Sequence, residues 1–337
     1  MMQELFVSPF FGIALSAAAF WAGVKLRKKT GLEICNPLVI AIVIVSGVLL
    51  IFKIPYESYE KGGGIINMFL APATACLAVS IYTRIELLKK NCEKYSEEIC
   101  MAGNYEDILK NEQNGQISAV LTIEEGGIIN GKAQRLEELW EKGVRLMTPM
   151  WNYTNCLGHP NSREPELMAK GLTKFGKEII NRAGELGMII DVSHASDQSF
   201  RDILECTDGP VVASHSNCRA LCRHPRNLTD EMIRRLAEAG GIAGLNLFPM
   251  FLGENLSPGM ELEAVAAHVL HMINVGGGEF PAIGTDADGY GIQAYEPIQK
   301  VSDMPKLWEM LRKKGVSEDQ LERIWRTNAV NVLKRIG

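Results

Sequence analysis

The chain has no Cys-x-x-Cys pair among its eight cysteines, and their irregular spacing excludes both a zinc ribbon and a disulfide framework. Cys218 and Cys222, four apart and close to His215, read as small buried apolar residues rather than as ligands. No Gly-x-Gly-x-x-Gly and no P-loop stands at a strand-to-helix turn, so the common cradles for nucleotide phosphates are missing. Lys and Arg (35) are outnumbered by Asp and Glu (40) and are scattered; no basic face for nucleic acid results. Histidine is scarce as well, with six residues and none before His159.

Charge is also nearly absent from most of the first ninety residues. Residues 8–26 hold one charge, Lys25, and are followed by Arg27, Lys28 and Lys29. Residues 36–52 and 62–82 hold none, although Pro72 interrupts the latter. Runs of this length suit helices crossing a hydrocarbon core of about 30 Å, and a proline is tolerated where helices pack together. The first run lacks a basic leader and two more follow, which argues against a cleaved signal peptide. The expectation is an all-α segment of about three transmembrane helices in contact with lipid. Lys and Arg concentrate between the first two runs and after the third (Arg84, Lys89, Lys90). The positive-inside rule then predicts a multi-pass protein of the cytoplasmic membrane, with its C-terminal domain in the cytoplasm.

After Asn91 short apolar runs alternate with amphipathic stretches. The predicted strands are 116–125, 143–151, 187–194, 210–216, 240–248 and 280–288. Several intervening segments begin at a Ser, Thr or Asp cap and end at Gly, the punctuation of helices. Alternation of this regularity predicts parallel βα units. Polar residues gather at the strands' C-terminal ends, where a (β/α)8 barrel carries its active site. A full barrel needs eight strands and six are legible, so the predicted fold is α/β, an incomplete TIM-type barrel.

Those strand ends carry chemistry. Glu125, His194 and His215 offer one carboxylate and two imidazoles from three strands, a common set for catalytic zinc with one position left for water. Asp286, in "GTDADG", suits a general base or a group that orients the water. Arg226 suits a two-pronged grip on a substrate carboxylate. Trp151 and Asn152 end another strand and face the same mouth. His268 and His271, three apart on a predicted helix, read as surface residues, and His224 as a loop residue beside Arg226.

The segments "LTIEEGG", "VRLMTPMWN", "GLTKFGKEIINRAGELGMIIDVSHAS", "PVVASHSNCRALCRHPRNLTDEMI" and "AIGTDADG" resemble, in order and spacing, the membrane (renal) dipeptidase family of zinc metallopeptidases over residues 92–337. The resemblance implies a barrel that holds two zinc ions and hydrolyses dipeptides. It makes Glu125 the carboxylate bridging both metals, His194 and His215 ligands of the second zinc, Arg226 the grip on the substrate carboxylate and Asp286 the catalytic aspartate. The family's opening strand, with a His-x-Asp pair for the first zinc, and its second strand have no counterpart here, so one zinc is expected. Trp151 stands where many members carry a substrate-contacting His, and Ala287 replaces the usual aromatic.

Residues 1–91, through "SPFFGIALSAAAFWAGVKLRKKTGLEICNPLVIAIVIV", "IPYESYEKGGGIINMFLAPATACLAV" and "YTRIELLKKN", resemble the N-terminal part of the LrgB-type membrane protein family. The domain expectation is therefore an LrgB-like membrane segment, 1–91, joined to a dipeptidase-like domain, 92–337. A second expectation from a different class is a membrane scaffold or LrgB-like regulator fused to a catalytically inactive relic. The open strand edges of a shortened barrel leave room for a homodimer that covers them.

Overall fold

The computed structural model describes residues 9–30, 37–59 and 87–336, apart from 255, 257–258, 287–288, 291–297 and 299–300. The chain divides into two compact units, Met1–Leu87 and Leu88–Gly337, and each is described by itself.

In the first unit, α1 (Pro9–Thr30) and α2 (Pro37–Ile51) form on the first two apolar runs and pack together. No described helix is long and apolar enough to cross a membrane. α1 has 22 residues but carries Lys25 and, in its last turns, Arg27, Lys28 and Lys29; α2 has 15 residues, about 22 Å at 1.5 Å per residue, short of a core of about 30 Å. The third predicted span, 62–82, lies outside the described residues.

The second unit is a parallel α/β fold. All six predicted strands are present: β3 (Leu121–Ile123), β4 (Val144–Met147), β5 (Ile189–Asp191), β6 (Val211–Val212), β7 (Ala243–Leu245) and β8 (Pro281–Ile283). They stand side by side in chain order. β3 to β6 form one parallel sheet, β7 and β8 another, and a parallel bridge from Ala213 to Ala243 joins the two. Among the described residues no strand pairs with the outer side of β3 or of β8. Sequence reasoning missed β1 (Ile99–Met101), which pairs in parallel with β2 (Ile117–Ala119), and it merged β2 and β3 into one strand.

Local chemistry accounts for the helices between them. Asn104 caps α3 (Tyr105–Gln113), Thr173 caps α5 (Lys174–Glu185), Ser196 caps α6 (Asp197–Cys206) and Thr229 caps α7 (Asp230–Glu238). In each case the side-chain oxygen accepts a free N–H of the first turn. Gly143, after α4 (Gln134–Glu141), and Gly187, after α5, turn the chain at φ 96° and 75°, where a Cβ would be strained.

Strands β5 to β7 are buried on both faces, as parallel strands under helices are, whereas Thr122 in β3 is exposed. Ile189 and Val212 pack against Val332, with Leu146, Ile242, Leu333 and Ile336 around them, so the C-terminal segment packs on three strands, β4 to β6, and on the residue before β7. Strands β6 to β8 come unusually close. A Cβ on Gly244 or on Gly284 would collide with the Ser214 carbonyl, so both positions admit only glycine.

His268, read from sequence as a surface residue, is fully buried on α8 (Glu261–Gly276). Its Nδ1 accepts the Cys218 N–H at 3.1 Å, so its Nε2–H donates to the Leu252 carbonyl at 3.1 Å. His271 does lie nearer the surface, where it pairs with Asp230 at 2.8 Å. Burial pushes the His268 pKa down to about 4. The unfolded chain therefore binds this proton first, at its ordinary value of about 6.5. The contribution of a neutral His268 is complete above that pH and is lost as pH falls toward 4. In urea unfolding of the full chain, the midpoint should drop between pH 7 and pH 5, and His268→Gln should make that drop shallower.

Candidate metal centre

The site is assembled at the C-terminal ends of the strands, around a carboxylate that touches no solvent. Asp191, the last residue of β5, is 1% exposed. Its Oδ1 accepts the Ser193 N–H at 3.0 Å, the Ser193 hydroxyl at 2.6 Å and the Ser214 N–H at 2.8 Å. Its Oδ2 accepts the Thr148 hydroxyl at 2.8 Å and the Ser214 hydroxyl at 2.7 Å. These bonds fix the ends of β4, β5 and β6 to one point. Burial alone would raise the Asp191 pKa; the hydrogen bonds it accepts from Ser193 and Ser214 act against this, and the carboxyl is held below its ordinary range.

This network sets the protonation of both imidazoles. Ser214 gives its only hydroxyl proton to Asp191, so at 2.7 Å from His215 Nδ1 it must accept. His215 is thus protonated at Nδ1 and bare at Nε2. Arg226 Nη2, which can only donate, lies 3.1 Å from His194 Nε2. That nitrogen is bare too, and His194 Nδ1–H donates to Asn152 Oδ1 at 3.1 Å. Burial pushes the His194 pKa down to about 3, with the Arg226 charge adding to the effect. His215 is lowered mainly by burial as well. Both rings are neutral, the form that binds metal.

The two bare nitrogens face each other at 3.0 Å. Glu124 Oε1 closes the triangle, 3.3 Å from His194 Nε2 and 3.4 Å from His215 Nε2. Three acceptor atoms aimed at one point repel unless a cation sits between them. Ligands at 2.0–2.1 Å in a tetrahedron stand about 3.3 Å apart, so both the spacing and the donor set fit zinc. Among the described residues this is the one such cluster of His, Cys, Asp and Glu. Burial raises the Glu124 pKa against the opposing pull of His215 and Arg226.

The structure thus brings His194 and His215 together and pairs them with Glu124, the neighbour of the expected Glu125. Glu125 turns the other way. Its Oε1 accepts the Gly127 N–H and the Asn155 amide, both at 2.6 Å, and its Oε2 accepts the Trp151 N–H at 2.9 Å. It caps the 3-10 turn Gly126–Ile129 and pins the loop that carries Asn152. Two signals in the sequence point to this. Alternation along β3 puts Glu124 with Thr122 and Glu125 with the buried Leu121 and Ile123. The glycine pair after Glu125 also marks a turn whose N–H groups need an acceptor.

Arg226 is 6% exposed. Burial lowers its pKa to about 10, so it stays charged, and its Nη1 has no hydrogen-bond partner among the described residues. The Phe251 ring lies 5.5 Å from the guanidinium. Asp286 sits beyond β8 in a left-handed conformation, φ 57°. Its Oδ2 accepts the Asn246 amide at 3.1 Å, and its charge acts on both imidazoles and on Arg226. Trp151 stands at the rim, its ring 6.3 Å from His194 and 5.6 Å from Tyr153.

Asp191→Asn would replace one acceptor by an amide donor facing the Thr148 and Ser214 hydroxyls. It should cost about 2 kcal/mol of stability and weaken zinc binding about 10- to 100-fold. Urea unfolding and zinc titration against a competing chelator measure the two losses separately.

Comparison with known proteins gives this centre its context. The sequence model of the membrane dipeptidase family (peptidase family M19) matches residues 71–337, and that of the LrgB-like family matches 16–103. An uncharacterized protein in the pqqA 5' region of Klebsiella pneumoniae is 30% identical over 264 residues, covering 76% of this chain and 96% of the relative. An uncharacterized dipeptidase of Schizosaccharomyces pombe is 28% identical over 256 residues, 75% of this chain and 61% of its own length. The crystal structure of dipeptidase AC, a metallopeptidase of family M19, superposes with TM-score 0.71 at 26% identity, covering 78% of this chain and 79% of that one. A metallopeptidase of Rhodobacter sphaeroides, liganded with a phosphinate mimic of the dipeptide L-Ala-D-Ala, superposes with TM-score 0.65 at 26% identity, covering 72% and 70%. With its parallel α/β fold and its cluster of neutral imidazoles and a carboxylate, this chain belongs to the membrane dipeptidase family and is a metallo-dipeptidase by descent and architecture.

Proposed function

We propose that the chain is a zinc-dependent dipeptidase with a single metal position, built on an incomplete TIM-type barrel and tethered to the membrane by its first ninety residues. The observation that carries the reading is the convergence of Glu124, His194 Nε2 and His215 Nε2 at 3.0–3.4 Å. The absence of any histidine before His159 supports one metal rather than the two of the family, because the His-x-Asp pair for a first zinc has no counterpart. Glu124 takes the ligand role that the sequence suggested for Glu125, and Glu125 holds the loop of Trp151 and Asn152 in place.

Zinc in this position supplies a Lewis acid for the scissile carbonyl and brings the pKa of a water toward about 7. The other tasks belong to side chains. Arg226, a buried cation whose Nη1 has no hydrogen-bond partner among the described residues, binds the dipeptide carboxylate, a pairing its planar fork favours. Asp286, held by Asn246, takes the proton of the attacking water and returns it to the leaving amine. Asn152 orients the His194 ring, and the half-exposed Trp151 ring forms one wall for a substrate side chain. The phosphinate bound by the Rhodobacter sphaeroides relative makes L-Ala-D-Ala a reasonable first substrate.

The full chain, purified in detergent, should hold about one zinc and hydrolyse L-Ala-D-Ala. His194→Ala should lose the metal and lower kcat/KM at least 100-fold, about 2.7 kcal/mol of transition-state stabilisation. Folded protein with neither zinc nor turnover would leave the scaffold reading, an LrgB-like regulator carrying an inactive relic. The match to the LrgB-like family and the Lys/Arg distribution support membrane attachment. A reporter fused after Lys90 should read out in the cytoplasm, and a signal from the opposite face would reverse the topology.

A further inference from the structure

Behind the loop that carries Arg226 lies a second cavity of about 770 Å³, lined by none of the residues assigned above to the metal or the substrate. The volume is that of a small-molecule site. Arginine dominates its wall: Arg163, Arg201, Arg219 and Arg223 all border it. Arg219 is committed, with both terminal nitrogens on the Asp197 carboxylate at 2.8 Å. The other three carry no ion pair or side-chain hydrogen bond among the described residues. Glu254 is the one other carboxylate on the wall.

Three guanidiniums without an ion pair among the described residues, Arg163 and Arg223 on exposed side chains and Arg201 half-buried, thus border one hollow whose uncommitted carboxylate is Glu254. That excess of positive charge favours an anionic occupant. The excess is felt by the neutral ring between them. His224 has its pKa pushed down to about 4, by burial first and then by Arg163, Arg226 and Arg219. The lining also includes the apolar Pro165, Met168 and Met250. A planar fork that presents parallel N–H groups is the side chain best matched to phosphate oxygens.

We propose that this cavity is a second ligand site that takes a small molecule bearing a diphosphate-class group, at least two negative charges at one end, with any organic remainder against Met168 and Met250. The site is separate from the metal centre. Between them stands a wall in which the Arg226 N–H donates to His224 Nδ1 at 3.2 Å and the His224 ring packs 4.5 Å from Phe251. The assignment does not rest on dipeptidase activity.

The test is calorimetric titration of sodium pyrophosphate into the full chain in detergent after zinc has been removed with a chelator, so that the anion cannot report on bound metal. Saturable one-site binding is expected, weakening as salt is raised. Arg163→Gln combined with Arg201→Gln should lower the affinity at least tenfold, whereas His194→Ala, which cripples the metal centre, should leave it unchanged. ADP binding more tightly than pyrophosphate would assign an organic phosphate, and equal binding a free one; either supports the site. Absence of saturable binding, an unaltered affinity in the double variant, or a loss in His194→Ala equal to that in the arginine variant would overturn it. If the double variant fails to fold, Arg223→Gln, on an exposed side chain, should by itself lower the affinity about threefold, and no change there would count equally against the proposal.

Discussion

The buried Asp191 carboxylate is the constraint on which the rest of the site depends. A charge without solvent is tolerable only when its lone pairs are filled, and the five donors that fill them come from the ends of three neighbouring strands. Satisfying that charge fixes where β4, β5 and β6 stop. It also decides, through Ser214, which nitrogen of His215 is left bare. Stability and chemistry are thus written into the same group, and neither can be altered without the other.

Around this point the centre is held by partners at one remove from the ligand atoms. Asn152 turns His194, Ser214 turns His215, Asn246 holds Asp286, and Glu125 anchors the loop that delivers Asn152. Each imidazole is fixed in one tautomer by a bond on the side away from the cluster, a common arrangement around catalytic metals. Imidazoles pre-set in this way would lose little freedom on binding a cation.

Much of this was legible in the sequence. The six strands were visible because parallel strands under helices read as short apolar runs between capped amphipathic stretches, and their polar ends pointed to His194 and His215, which the fold brings within 3.0 Å of each other. What escaped is instructive. The position of Glu124 rather than Glu125 beside the imidazoles turns on the pleat of a strand only three residues long, which is separated from β2 at Val120 and shifts register between Leu121 and Thr122. His268 was misjudged because its helix is apolar around most of its circumference, so spacing from His271 could not tell an inner face from an outer one. The arginine-lined cavity left no local signal at all. Arg163, Arg201 and Arg223 come from three separate connections and meet only in the folded chain.

The glycines under the Ser214 carbonyl bear on how such a protein can change over generations. Because neither Gly244 nor Gly284 can gain a side chain without colliding with that carbonyl, these two positions cannot be used to reshape the strands that carry the site. Exposed positions such as Trp151 and Tyr153 carry no such constraint. A rigid base beneath a replaceable rim would let close relatives share one reaction while diverging in the side chains they accept.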